Sequence, residues 1–480
     1  MMHLSPFLKK IFYLDSRSVA LFRVGLGGMI LLDLALRARN LKAHYTDAGV
    51  LPREAVENWV WNIDHFSFHM WSGEAGLQTI LFFLAGIFGA LLMVGKWPKL
   101  ALFGSWILLL SLHHRNPVIL DGGDALLRLL MFWGLFIPLS TPISKTGETS
   151  SENTQLFSLG TGAFFIQLIC VYVFSGWLKS GASWQDGTAV YYVMQLDMHT
   201  TLLGNSLQSF PSLMESLTFL TVLIEKWGFV LLLLGGLHAY FRYAAIGLFM
   251  LLHLGFLLTL SLGIFPLVGM LCWVIFLPTH FWEKGLGKKI TAIIASKPSS
   301  LKDRIDKEAY AWAFSAGEIL RGIIILFSLY LMLGWNALSM GKEFLPTQMD
   351  PYVMHLGLTQ NWNLFSPDPI KNDGWYIVEK THDGERKDLW NKGEISFNKP
   401  VSVNTSYRNQ RWRKYWKQIK KRRYKELKPY LATYFCEKEN EGVKNTAGDS
   451  LRIFFMQERS EPFGQPNEII PRIIWEVPCP

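Results

Sequence analysis

Charge is scarce in this chain. Only 18% of its 480 residues are charged, whereas 50% are hydrophobic and 14% aromatic, and mean hydropathy is +0.20. A soluble domain of this length reaches such an average only with difficulty. The apolar residues gather in long runs, while the last third has an ordinary polar composition. These features point to a multi-pass membrane protein over residues 1–340 and a polar domain over 341–480. Acidic residues are fewer than basic ones, 38 against 47, for a net charge of +9 and a pI near 9.2. Basic loops on the cytoplasmic face of a membrane protein account for that excess, so no nucleic-acid partner is expected.

Cysteine is also rare. Cys170 and Cys272 fall within apolar runs and read as inert packing residues. Cys436 and Cys479 lie in the polar domain and can pair if that domain is extracytoplasmic. No small-residue cleavage site follows the first apolar run, so the first span reads as uncleaved. Internal repeats and low-complexity stretches are absent from the sequence.

A spanning helix needs about 20 mostly apolar residues. Nine candidates occur, near 19–37, 77–95, 99–114, 125–140, 157–178, 213–236, 242–262, 264–280 and 319–339. Lys96-Trp97-Pro98-Lys99 makes a tight hairpin between the second and third, and Ser261-Leu262-Gly263 turns between the seventh and eighth, which Pro266 can start. Lysine and arginine placement orients the bundle. The loop 281–318 carries Lys284, Lys288, Lys289, Lys297, Lys302, Arg304 and Lys307, and nine spans put Lys9, Lys10, Lys96 and Lys99 on the same, cytoplasmic side. An odd count leaves the C-terminal domain outside, together with loops 38–76, 115–124 and 179–212. Within that domain, 374–384 reads as a strand entering an Asp383-Gly384 turn, 451–457 and 472–477 as further strands, and Arg411 to Tyr434 as one or two amphipathic helices interrupted at Pro429. The expected fold is a membrane all-α bundle of about nine transmembrane helices carrying a small extracytoplasmic α+β domain.

Ionisable groups in or beside spans are costly and mark the first places to look for chemistry. Lys179 closes the fifth span within Tyr172 to Gly187. Buried, it is an amine that desolvation holds neutral and able to act as a general base. The plainer alternative is a lysine snorkelling to the headgroups beside the interfacial Trp177 and Trp184. A second group is His113-His114-Arg115-Asn116 with Asp121 and Asp124. Adjacent histidines on a helix point in different directions, so no metal is expected there, and Asp121 or Asp124 can simply cap the fourth helix. Arg23 and Asp33 in the first span, Glu225 and Lys226 in the sixth and His253 in the seventh each need a partner, and interhelical bonds are the plain role for most. Finally, Arg408 to Lys428 holds eleven Lys or Arg against one Glu, interleaved with Trp412, Tyr415, Trp416 and Tyr424. Its Arg411, Arg413, Lys414, Lys417, Lys420 and Lys421 make a candidate basic partner surface, for solvent or anionic headgroups or for an acidic polypeptide.

The chain resembles the HTTM (horizontally transferred transmembrane) group, whose best-known members are the vitamin K-dependent gamma-carboxylases. The likeness rests on Leu21-Phe22-Arg23 with Asp33 and the His44 to Arg53 stretch, on Tyr172 to Gly187, and on His253 with Leu262 to Pro266 and Met270. Asn361 to Pro369 with Asp373-Gly374-Trp375 resembles bacterial members, and the likeness covers roughly residues 10–380. The resemblance implies that Lys179 is the base that deprotonates a reduced vitamin K or menaquinone, with O2 and CO2 as co-substrates and a Glu-containing polypeptide as substrate. His253, Asp124, Arg115, Asn116 and Trp184 are then expected to line or support the quinone cavity. The competing expectation is a non-catalytic membrane factor that binds, matures or exports a partner polypeptide through segment 408–428, with Lys179 as an anchor.

Overall fold

The structure is a computed structural model that describes residues 6–61, 65–139, 154–294, 316–382, 384–438 and 449–479. Lys297, Lys302, Arg304 and Lys307 of the basic loop, and Asp383 of the Asp-Gly turn, lie outside the described residues. The chain is mostly helical, with a small C-terminal sheet domain. The longer helices are α1 (Ser16–Ala38), α2 (Ala75–Val94), α3 (Pro98–Arg115), α4 (Gly122–Gly134), α5 (Leu159–Leu178), α6 (Pro211–Trp227), α7 (Ala239–Thr259), α8 (Phe265–Val274) and α9 (Ala316–Leu338).

Five of these, α1, α2, α5, α7 and α9, are long and apolar enough to cross a membrane. Their outward side chains are apolar too: Ile80, Phe83, Leu251 and Ile323 are each more than half exposed. A helix bounded by water carries charge on that face instead. The other four expected spans fall on helices that are shorter or more polar. Helix α3 ends in His113-His114-Arg115, α6 carries Glu215, Glu225 and Lys226, and α4 and α8 have only 13 and 10 residues. Helices α4 and α8 are buried among their neighbours, so packing against protein rather than bilayer thickness sets their length.

Several cations near helix ends have a shared explanation. Arg23 donates to the carbonyls of Leu92 and Met93 at the end of α2, and Lys99 Nζ to those of Leu135 and Ile137 just past α4. Arg242 reaches the carbonyls of Lys10, Ile11 and Tyr13, and Arg321 that of Phe136. A helix leaves its last four carbonyls without intrahelical donors. In a bundle with little water, a neighbouring cation is the available donor, and it also suits the negative end of the helix dipole.

Helix α10 (Asp350–His355) leads into the C-terminal domain. Strands β1 (Asn372–His382), β2 (Glu385–Asp388), β3 (Ser450–Arg459) and β4 (Glu468–Pro478) form one antiparallel sheet in the order β2-β1-β3-β4. Helices α11 (Gln410–Ile419) and α12 (Lys428–Lys438) complete it. Pro429 does not interrupt a helix but sits in the first turn of α12, where its missing N–H costs no bond. Cys436 and Cys479 are joined in a disulfide, and Cys170 and Cys272 are free and buried. The ring of Trp416 on α11 stacks at 4.3 Å on Tyr376 of β1, which packs in turn on Phe455 of β3. One continuous hydrophobic core runs from the bundle into this domain, and a smaller one gathers Trp184, Tyr191, Tyr192, Met194 and Met214.

Candidate functional site

Lys179 sits one residue beyond α5, and its side chain turns inward. Its Nζ donates to Glu225 Oε2 at 2.5 Å and to Ser175 Oγ at 2.8 Å, and lies 5.3 Å from the centre of the Trp184 ring. Both ionisable side chains are almost wholly buried, at 2% and 6% exposure. This replaces the snorkelling arrangement with an internal ion pair. A glycine makes it possible. A Cβ on Gly176 would come within 2.8 Å of Lys226 N, so only glycine lets α6 approach α5 closely enough for Glu225 to reach Lys179. Helix α6 begins 14 residues before Glu225 and ends two residues after it, so the pair lies in the last turn of α6, about 20 Å of helix from its N-terminal end.

The loop after Lys179 is clamped by the segment before β1. Gly181 N donates to Pro367 O at 3.0 Å, Ser183 N to Asp368 Oδ1 at 2.9 Å and Trp184 Nε1 to Phe365 O at 2.9 Å. Two of the motifs behind the family resemblance, nearly two hundred residues apart, thus form one structure.

Tyr172, Ser175 and Lys179 recur at helical spacing along one face of α5. Tyr172 Oη lies 2.8 Å from both Trp273 Nε1 and His253 Nε2. Indole N–H can only donate, so the hydroxyl accepts from Trp273, and the acceptor in reach of its own hydrogen among the described residues is His253 Nε2. Nε2 of His253 is therefore the acceptor, and its Nδ1 carries the proton. That Nδ1 is buried without a hydrogen-bond partner among the described residues. The ring sits between Phe256 and Phe265, at 5.7 and 5.5 Å, in space left by Gly269, where a Cβ would fall 2.1 Å from it. The unpartnered Nδ1 lies against Gly269, where an added Cβ would fall 2.4 Å from it.

The remaining cavity candidates lie elsewhere. Asp124 belongs to a buried ionic cluster: Arg37 donates to Asp33 at 2.7 Å and to Asp124 at 2.5 Å, and Arg411 of α11 donates to Asp33 at 2.8 Å and to both oxygens of Asp124. Asp121 and Asp124 together also make the capping box of α4. Arg115 Nη1 donates to Leu51 O at 2.9 Å and Asn116 Nδ2 to His44 O at 2.8 Å, so both fasten the loop after α1. None of these hydrogen bonds reaches Lys179, Glu225 or His253. Ligand atoms of Asp33, His113 and Asp124 come within 4.8 Å of one another, but the guanidinium groups of Arg37 and Arg411 already supply the positive charge that the carboxylates require. Of the residues expected around the base, the structure gathers Trp184 and, through Tyr172, His253.

The basic partner surface also needs correction. Arg411 and Arg413 are buried. The first enters the ionic cluster, and the second donates to the carbonyls of Met198 and Ser261. Both belong to the contact between α11 and the bundle. Lys420 and Lys421 are exposed and Lys414 and Lys417 half-buried. Burial, followed by the neighbouring Lys414, Lys421 and Lys420, pushes the Lys417 amine down to about 8. Lys420 Nζ lies 4.1 Å over the Phe455 ring.

The residue that the sequence left unassigned is Glu225. A carboxylate in an apolar stretch was its signal, but nothing in the sequence linked it to Lys179. No family model matches this chain, and no curated protein or solved structure matches it.

Proposed function

We propose that this protein is a membrane-embedded enzyme of the gamma-carboxylase type within the HTTM group, acting with a reduced quinone on glutamate in a polypeptide. One observation carries the reading: the buried Lys179–Glu225 pair, braced by Ser175 and Trp184. Removing two ions from water costs several kcal/mol each, which a purely structural contact recovers only with difficulty. Buried, specifically partnered ionisable groups of this sort are enriched at sites of proton transfer.

In this reading reduced vitamin K or menaquinone, when bound, supplies with O2 the oxidative power to remove a glutamate γ-proton before CO2 is captured. The chain's own residues hold and move protons. The pair carries no net charge while one proton is held between Nζ and Oε2. Taking up one more from an acidic hydroxyl leaves Lys179 as an ammonium and Glu225 as a neutral acid, with the cation beside the new anion. Tyr172 and Trp273 keep the ring of His253 in one tautomer. The aromatic walls exclude water and suit an apolar ring system delivered laterally from a bilayer.

The same proposal includes nine spans, with the short α4 and α8 counted as buried partial crossings, a cytoplasmic N-terminus and an extracytoplasmic C-terminal domain. The Cys436–Cys479 disulfide favours that orientation, because disulfides persist in oxidising compartments.

The test is quinone turnover by purified protein in nanodiscs, supplied with reduced menaquinone or vitamin K and O2. Epoxide is expected from the native protein and is expected to vanish in Lys179→Ala. Lys179→Arg keeps a cation but offers no accessible neutral amine, so it too should be inactive. Absence of epoxide from well-folded native protein with any reduced quinone points instead to the non-catalytic binding or export role.

A further inference from the structure

Helix α11 carries a row of lysines to which the folded chain supplies no anion. Its first turn is anchored in the bundle, where Arg411 meets Asp33 and Asp124, and Gln410 Nε2 donates to Asp121 Oδ2 at 2.9 Å. Its other end meets the sheet, where Lys420 Nζ lies 4.1 Å over the ring of Phe455 on β3. Lys414, Lys417 and Lys421 follow one another at spacings of three and four residues, which brings them to one side of the segment. Among the described residues, no carboxylate forms an ion pair with any of these four amines.

A basic row is ordinarily a solvated face, and water then keeps each amine at its usual value. Here burial, followed by Lys414, Lys421 and Lys420, holds the Lys417 amine down at about 8. Asp373 is the acidic group that acts on both Lys417 and Lys420. Its carboxyl group is buried, however, and is committed to the backbone N–H groups of Met198 and Gly374. Like charges at helical spacing repel, and partial burial strengthens the repulsion. An anion from outside the chain would relieve it.

The row adjoins the candidate site. Burial, then Arg413, Lys417 and Lys414, holds the His199 ring well below the usual histidine range. That ring lies 6.3 Å from Phe365, whose carbonyl accepts from Trp184, and the Trp184 ring lies 5.3 Å from Lys179 Nζ.

We propose that Lys414, Lys417, Lys420 and Lys421 form a docking surface for an acidic segment of a polypeptide, next to the glutamate being modified. The choice of a polypeptide rests on the proposed function. Lys414 and Lys421 are seven residues apart, about 10 Å of helix. An extended chain repeats a side chain on one face about every 7 Å, so acidic residues at alternate positions place successive carboxylates along the row. Lipid headgroups lie at one depth, whereas this row runs from the bundle to the sheet. Flexible lysine stems suit a series of related acidic sequences, because an ammonium imposes no bidentate geometry.

The full chain in phosphatidylcholine nanodiscs is titrated into a fluorescein-labelled peptide of alternating glutamate and glycine, with anisotropy read at low salt. Saturable binding is expected, weaker as salt rises and absent for the glutamine counterpart of the peptide. Lys420→Gln with Lys421→Gln, both on exposed side chains, should weaken binding by about tenfold. Adding Lys417→Gln should weaken it further. Lys342→Gln with Arg472→Gln removes the same charge from exposed positions elsewhere and should leave affinity unchanged. No saturable binding by the native protein, or equal losses in the two double variants, overturns the proposal. So does a double Lys420→Gln and Lys421→Gln variant that loses affinity for phosphatidylglycerol vesicles and keeps it for the peptide, which assigns the row to headgroups. The assay contains neither quinone nor oxygen, so docking can fail while turnover stands, and turnover can fail while docking stands.

Discussion

Asp373 begins the sheet with its carboxylate fully buried, accepting from the backbone N–H of Met198 at 2.7 Å and of Gly374 at 2.6 Å. Burial pushes this carboxyl up to about 7, and the two backbone donors oppose only part of that rise. Between the unfolded value near 4 and about 7, the folded protein binds more protons than the unfolded chain, so stability falls as pH rises through that interval. The thermal midpoint of the native protein should therefore drop from pH 5 to pH 8, by an amount equivalent to about 3 kcal/mol. Asp373→Asn should flatten the profile over that range. An unchanged slope in the variant would remove Asp373 as its source. At this scale the sequence marked Lys179 as unusual but not what it touches. Its partner became legible only once Gly176 was seen to admit α6, because glycine's contribution is the absence of a side chain, which no charge or hydropathy pattern records.

Helix α11 illustrates what pattern reading misses at the scale of an element. Its run of basic residues looks like a solvated or anion-binding surface, yet Arg411, Trp412, Arg413, Tyr415 and Trp416 are all buried. Two of its arginines plug the bundle: Arg411 onto Asp33 and Asp124, and Arg413 onto backbone carbonyls. The sequence held the acceptors as well, in Asp33 and Asp124, but almost three hundred residues or more separate them from Arg411. Removing one side of a buried ionic cluster leaves uncompensated charge, at a cost of about 3–5 kcal/mol. Arg411→Ala is expected to lose stability on that scale and to expose the segment between α9 and β1 to protease, whereas Lys421→Ala, on an exposed side chain, should match the native protein in both assays. At the ion pair itself, Glu225→Gln should destabilise by a similar amount, and Lys179→Met combined with Glu225→Leu should recover much of the stability without restoring turnover. Thermal unfolding of these two variants separates the outcomes.

For the whole molecule, the disulfide offers a direct test of orientation. Cys436 and Cys479 close a link across 43 residues of sequence, from α12 to the residue after β4. In sealed vesicles that keep the native orientation, a membrane-impermeant maleimide should label the chain only after an impermeant reductant has been added. Labelling without reductant, or labelling only after the vesicles are opened, would place the domain on the reducing side. The buried Cys170 and Cys272 should stay unlabelled until the protein unfolds.

The sequence by itself determined the helices long and apolar enough to cross a membrane and the polar character of the C-terminal region, because apolar run length and composition are local properties. It also determined the Gly263 and Pro266 turn into α8 and three of the domain's four strands, whose signals lie within a few residues, while the short charged β2 was not read. Tertiary structure decided the rest. It made α4 and α8 short by surrounding them with protein, turned Lys179 from the membrane surface to Glu225, and drew α11 inward. Each of these depends on contacts between residues distant in sequence, and the cost of burying a charge is set by the partner it finds, which only the folded chain supplies.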